Sequence, residues 1–160
     1  MTAAGCHKGW LSPDDFLVTD LEGAVIGITR RKTSYETGLH TQLYRADAAI
    51  GCVLHTHSIA NTVLSRRQSS ITLSGYELLK VLPGVTTHEA VVEIPVFDND
   101  QDIASLAARV DEQLKQRRDF AGYLIAGHGL YTFGENIAQA RHRVEALEFM
   151  FECELNEVKS

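Results

Sequence analysis

The chain has 160 residues, 44% of them apolar and 22% charged, with a formal net charge of −6. That length and balance suit one soluble globular domain with a sizeable core, and the dispersed basic residues exclude the basic footprint of a nucleic-acid binder. No apolar run approaches the roughly 20 residues of a membrane span, and no basic segment followed by an apolar stretch marks a secretory leader.

The three cysteines, Cys6, Cys52 and Cys153, are scattered and odd in number. They read as free thiols of a reducing compartment, which makes the cytoplasm the expected location. In chain order, Ala3-Ala4-Gly5-Cys6-His7-Lys8-Gly9 is a small-residue opening. Its backbone N–H groups suit a phosphate, or form a plain terminal turn. Phe16 to Thr19 reads as a strand, turned by Leu21-Glu22-Gly23 toward a second at Val25 to Ile28. Arg30-Arg31-Lys32 suits an anion or a solvated loop. Glu36 to Asp47 carries Leu39, Leu43, Tyr44 and Ala46 along one helical pattern. Ala49 to Leu54 is short, apolar and partly β-branched, a buried strand running into His55-Thr56-His57. Ser58 then stands where the N-cap of a helix to Arg66 belongs.

Ser74 or Gly75 opens a short helix through Leu82, ended by Pro83-Gly84. Ala90 to Phe97 alternates weakly and reads as a strand. Asp100 to Gln116 has Ile103, Leu106, Ala107, Val110 and Leu114 at helical period. Gly122 to Ala126 is a second buried strand, followed by His128 between two glycines and a turn or short strand through Leu130 to Phe133. Glu135 or Asn136 caps a last helix, with Ile137, Ala140, Val144, Leu147, Phe151, Leu155 and Val158 as its apolar stripe. Strands and helices alternate, which predicts an α/β layered domain.

The histidines carry the chemistry. His55 and His57 stand at i and i+2 of a strand, on one face. Their Cα atoms lie about 6.6 Å apart at a rise of roughly 3.3 Å per residue. Two imidazoles lean across that gap to share an ion at about 2.0–2.1 Å per bond. If His128 joins them, three neutral imidazoles hold a divalent metal and leave a position open for substrate. Such a set accepts zinc, iron, cobalt or manganese. The competing reading is two unrelated edge histidines and one core histidine. Glu36 and Glu77 are carboxylates that would serve as a general base beside a cation, or stand as solvated helix residues. Ser34 and Thr33 are candidate anion donors. His7, His40, His88 and His142 lack the placement of the other three.

Five segments together resemble the class II aldolase/adducin superfamily over nearly the whole chain. They are Ala4-Gly5-Cys6-His7-Lys8-Gly9, Ser34-Tyr35-Glu36-Thr37, His55-Thr56-His57-Ser58, Gly75-Tyr76-Glu77 and Gly127-His128-Gly129-Leu130-Tyr131. The Gly-Tyr-Glu-Leu-Leu-Lys and His-Lys-Gly segments resemble most the branch that dehydrates 5-methylthioribulose 1-phosphate in methionine salvage. The resemblance implies a three-layer α/β fold with a central, mainly antiparallel sheet flanked by helices. It implies Zn2+, one per subunit, on His55, His57 and His128. Glu77 matches the dehydratase acid/base, and Glu36 stands where the sugar-phosphate aldolases keep their catalytic glutamate. Gly5, Lys8 and Ser34 fall at the phosphate end of the substrate pocket. The implied partners are a small sugar phosphate and further copies of the chain, as a homotetramer with its site near a subunit interface, with no nucleic acid and no membrane.

Family members carry a further amino-terminal helix and strands with a Ser-Gly-Asn-type phosphate loop. Here Met1 stands where other members have the interior of a strand, and Ala4 where a serine is usual. The implied domain, residues 1–160, is therefore expected to be incomplete at its amino terminus, short of edge strands and of part of the phosphate site. Two alternatives within the family are an aldolase or epimerase of sugar phosphates, like the fuculose-phosphate aldolases and reliant on Glu36, and an inactive truncated member acting as a non-catalytic module. Outside the family, a metal-free interaction module is the rival.

Overall fold

A computed structural model describes residues 1–116 and 120–157 and, at Lys8, the backbone alone; the expected stripe residue Val158 lies outside the described residues. Five strands form one sheet in the order β1-β5-β4-β3-β2. They are β1 (Cys52–Thr56), β2 (Ser70–Ser74), β3 (Val91–Phe97), β4 (Gly122–Ile125) and β5 (Gly129–Gly134). Only β3 and β4 run parallel; the other pairs are antiparallel. The parallel pair needs a crossover, which α3 (Ile103–Gln116) supplies. The central strands β4 and β5 are buried along their whole length, as expected for strands covered on both faces.

Helices α1 (Thr37–Ala46) and α3 cover one face, and α2 (Ile59–Ser65) and α4 (Ile137–Glu157) cover the other. Alternation along the strands sorts the core into two layers. Val53, Phe97, Tyr123, Ile125, Tyr131 and Phe133 pack with Leu39, Leu43, Leu106 and Val110 from α1 and α3. Ile71, Leu73, Val92, Ile94, Leu124 and Leu130 pack with Leu64 of α2 and Leu147, Met150 and Phe151 of α4. This is the three-layer arrangement, with a mainly antiparallel sheet, that the resemblance implied.

Two expectations differ from the structure, and one strand is additional to them. The amino-terminal strands at Phe16 to Thr19 and Val25 to Ile28 do not form; that region holds only the isolated bridges Thr2↔Phe16, Ala3↔Thr33 and Thr19↔Val25. Phe16, Val18, Ile26 and Ile28 are all exposed, and an apolar face with nothing to bury against does not sustain a strand. The helix expected through Leu82 is a short 3-10 segment, Glu77–Val81. The strand β2 went unpredicted, although Ile71 and Leu73 alternate with Ser70, Thr72 and Ser74. Among the described residues, no helix is long and apolar enough to cross a membrane.

Candidate metal centre

Pairing of β1 with β5 sets His55 directly opposite Tyr131. The Tyr131 ring stacks on the His55 imidazole, centroids 4.1 Å apart. The neighbouring carbonyl of Leu130 lies 2.8 Å from His55 Nδ1. An Nδ1–H donated to that oxygen leaves the Nε2 lone pair facing the opposite way. His57 follows just past the end of β1, and its Nε2 lies 2.8 Å from His55 Nε2. His128 sits in the tight turn between β4 and β5 rather than at the end of a strand, and Gly127 holds that turn with φ +65°. One ligand atom from each of the three histidines falls within 4.8 Å of the others. Three imidazole nitrogens converging this closely, one of them oriented by a backbone carbonyl, could hold a single divalent ion.

Gly129 makes the convergence sterically possible. A Cβ built on it would lie 2.3 Å from the Thr56 carbonyl oxygen and 2.8 Å from ring carbons of both His55 and His57. The glycine therefore opens the space into which the two imidazoles lean.

Glu36 closes the cluster from the α1 side. It is the N-cap of α1 yet makes no side-chain cap. Its carboxylate reaches instead toward the histidines. Oε1 is 3.0 Å from His128 Nε2 and 3.7 Å from His55 Nε2. The hydrogen bond from His128, aided by the charges of the other imidazoles, holds the Glu36 carboxyl down to about 2 despite its burial. Burial pushes His55 down to about 4, against the pull of Glu36, so this ring stays neutral through the physiological range. Burial, followed by the nearby phenol of Tyr123 and the Glu36 charge, raises the Tyr131 phenol far above its ordinary value.

Glu77 is placed elsewhere. It opens the 3-10 segment after β2, its side chain 73% exposed, and ion-pairs with Lys80. Its other oxygen is 3.9 Å from His88 Nδ1. The hydrogen bond from Lys80 lowers its pKa. Within one chain, the structure thus joins Glu36 to the three histidines and leaves Glu77 at the surface. Gly5 is exposed in a left-handed turn with open space around it. The bridge Ala3↔Thr33, with Ala4 N donating to Lys32 O at 2.8 Å, brings that turn beside the segment that holds Ser34. The Ser34 hydroxyl accepts from Glu36 N at 3.3 Å. Lys8 opens a 3-10 turn, and its side chain lies outside the described residues. The roles of Tyr131 and the Leu130 carbonyl are not visible in the sequence, because each depends on the β1–β5 pairing rather than on spacing within one segment; the glycines flanking His128 do signal a close approach there, and Gly129 supplies it.

Residues 1–155 match the family Class II Aldolase and Adducin N-terminal domain. Among curated relatives, a methylthioribulose-1-phosphate dehydratase of Pseudomonas paraeruginosa is 56% identical over 157 residues, which cover 97% of this chain and 76% of that protein. A protein of the same name from Pseudomonas syringae pv. syringae is 52% identical over the same shares of the two chains. Among solved structures, the L-fuculose-1-phosphate aldolase of Thermus thermophilus superposes with a TM-score of 0.74 at 24% identity, over 98% of this chain and 76% of that one. A second L-fuculose 1-phosphate aldolase gives a TM-score of 0.77 at 21% identity, over 99% of this chain and 70% of that one. On a family match across almost its entire length and relatives above half identity, this chain belongs to the class II aldolase and adducin family.

Proposed function

We propose that this chain is a metal-dependent hydro-lyase that dehydrates 5-methylthioribulose 1-phosphate to 2,3-diketo-5-methylthiopentyl 1-phosphate, a step of methionine salvage. The observation that carries the reading is the converging set His55, His57 and His128, in a chain more than half identical to proteins named for this reaction. The histidines would hold one Zn2+ per chain. When bound, the ion supplies a Lewis acid that stabilises negative charge developing on substrate oxygens.

The chain's own groups do the rest. Glu77 takes the proton from C3, beside the C2 carbonyl, and a proton is returned to the hydroxyl leaving C4. One water departs, and the enol left behind tautomerises to the diketone. A positioned acid–base group of this kind contributes about 10²–10⁴-fold. Glu36, with Oε1 3.0 Å from His128 Nε2 and 3.7 Å from His55 Nε2, sets a carboxylate beside the three histidines. Family membership supports a homotetramer, in which a site completed between copies of the chain would bring the exposed Glu77 to the histidines. Gly5, Lys8 and Ser34 form the phosphate end; the bridge that lays the Gly5 turn beside Thr33 supports that grouping. Free thiols at Cys6, Cys52 and Cys153 support a reducing, cytoplasmic setting.

Protein purified without added metal is expected to carry about one zinc per chain, lost in His128→Ala. Incubated with 5-methylthioribulose 1-phosphate, it is expected to yield the diketone, with the rate falling about 10²–10⁴-fold in Glu77→Gln. Absence of bound metal under any loading overturns the metal centre. A cleaved or epimerised sugar phosphate, dependent on Glu36, replaces the dehydratase with the aldolase or epimerase reading.

A further inference from the structure

Behind the histidines, on the opposite face of the sheet, lies a second polar cluster that no part of the reaction uses. Thr56 separates His55 from His57, so its side chain points the other way along β1, toward α4. There its hydroxyl donates to Glu148 Oε1 at 2.6 Å. The same oxygen accepts from Asn61 Nδ2 at 2.9 Å. Asn61 is fully buried, and its Nδ2 also lies 3.4 Å from the Thr56 carbonyl oxygen.

Asn61 has a further task. It forms a capping box with Ser58, whose hydroxyl accepts from Asn61 N at 3.0 Å while Asn61 Oδ1 accepts from Ser58 N at 3.3 Å. Glu148, Thr56, Asn61 and Ser58 therefore close a circuit of hydrogen bonds. Thr56 and Ser58 are the two chain neighbours of His57. His57 lies beyond the last residue of β1 and before the first of α2, outside the ladder of the one and the helical hydrogen bonds of the other. The circuit pins the chain on both sides of it.

The other Glu148 oxygen, Oε2, is buried without a donor among the described residues. A half-satisfied carboxylate under a sheet is a cost to folding, and an apolar residue would fill the same helix face without it. We propose that Glu148 is a positioning residue: acting through Thr56 and Asn61, it fixes the reach and direction of His57 and so sets the affinity and geometry of the metal centre. The inference rests on the three histidines being metal ligands, and it adds a determinant on α4, 91 residues along the chain from His57, that touches neither metal nor substrate. Outer-layer partners of metal ligands commonly govern affinity by 10–100-fold, a range of about one to two decades.

The test measures zinc affinity by competition with a chromophoric chelator, and the visible spectrum of the cobalt-substituted protein. Unsubstituted protein comes first. If it binds neither ion, the metal-centre reading itself has failed. If it binds, Glu148→Ala and Thr56→Val are expected to weaken zinc by about 10–100-fold and to shift the cobalt absorption bands. Glu148→Gln and Thr56→Ser keep an acceptor and a hydroxyl, and each is expected to recover most of the affinity. Thr56→Val is nearly isosteric, so it preserves the fold if Glu148→Ala does not. Unchanged zinc affinity and cobalt spectrum in a folded Thr56→Val protein, with only its melting temperature lowered, would overturn the proposal.

Discussion

Gly129 and His55 show how much the centre asks of single residues. Gly129→Ala drives a methyl group into the Thr56 carbonyl at 2.3 Å and against both imidazoles. The backbone contact cannot swing aside as a flexible side chain would, so β1 must move. The substitution is expected to destabilise the protein by about 1–3 kcal/mol, as overpacking does, measured by urea denaturation. It is also expected to abolish metal uptake, because the displaced strand carries His55. His55 adds a pH dependence to the metal-free protein. Its unfolded imidazole titrates near 6.5, whereas burial holds the folded ring at about 4. Between those values the unfolded chain binds a proton that the folded chain does not, so stability falls as pH drops through that window. Glu36 extends the loss, since its unfolded carboxyl titrates near 4.5 and its folded one at about 2. Thermal melts of metal-free protein from pH 7 to pH 4 are expected to show a loss on the order of 1–3 kcal/mol, reduced in His55→Gln.

Elements differ in how openly the chain declares them. Helix α2 is announced by Ser58, and its capping box with Asn61 is present. Ser58→Ala is expected to cost about 0.5–2 kcal/mol in stability, with a matching loss in melting temperature. Helices α1 and α3 follow their apolar spacing to within a few residues. His55-Thr56-His57 is legible as a same-face pair because a strand alternates. Strand β2 is harder to see, since only Ile71 and Leu73 mark its buried face. The amino-terminal segments have the opposite problem: Phe16, Val18, Ile26 and Ile28 carry strand character, but what decides a strand is a neighbour to cover it. Glu36 looks like an ordinary helix-start carboxylate until α1 is docked against the sheet. Spacing reveals ligands that share a segment; the convergence of His128 with them waits on which strands pair.

At the scale of the whole molecule, Glu77 and the histidines set the question. An exposed carboxylate matched to the family's acid/base suggests a site shared between copies. Mixing His128→Ala with Glu77→Gln, each strongly impaired alone, is expected to restore activity if chains exchange. Random pairing of two kinds of chain joins a sound metal centre to a sound Glu77 in about a quarter of sites. Steady-state assays of unfolded and co-refolded mixtures measure this, and a mixture as inactive as its components would place Glu77 and the histidines in one chain. The β1–β5 pairing has a consequence in time as well. His55 and the Leu130 carbonyl that orients it lie 75 residues apart. During synthesis, His55 and His57 leave the ribosome long before β5 exists, and two imidazoles on an unpaired strand hold an ion weakly. An ion held by His55, His57 and His128 would therefore load last, after the sheet has closed, and the choice among cations would fall to a finished cradle rather than to a nascent chain.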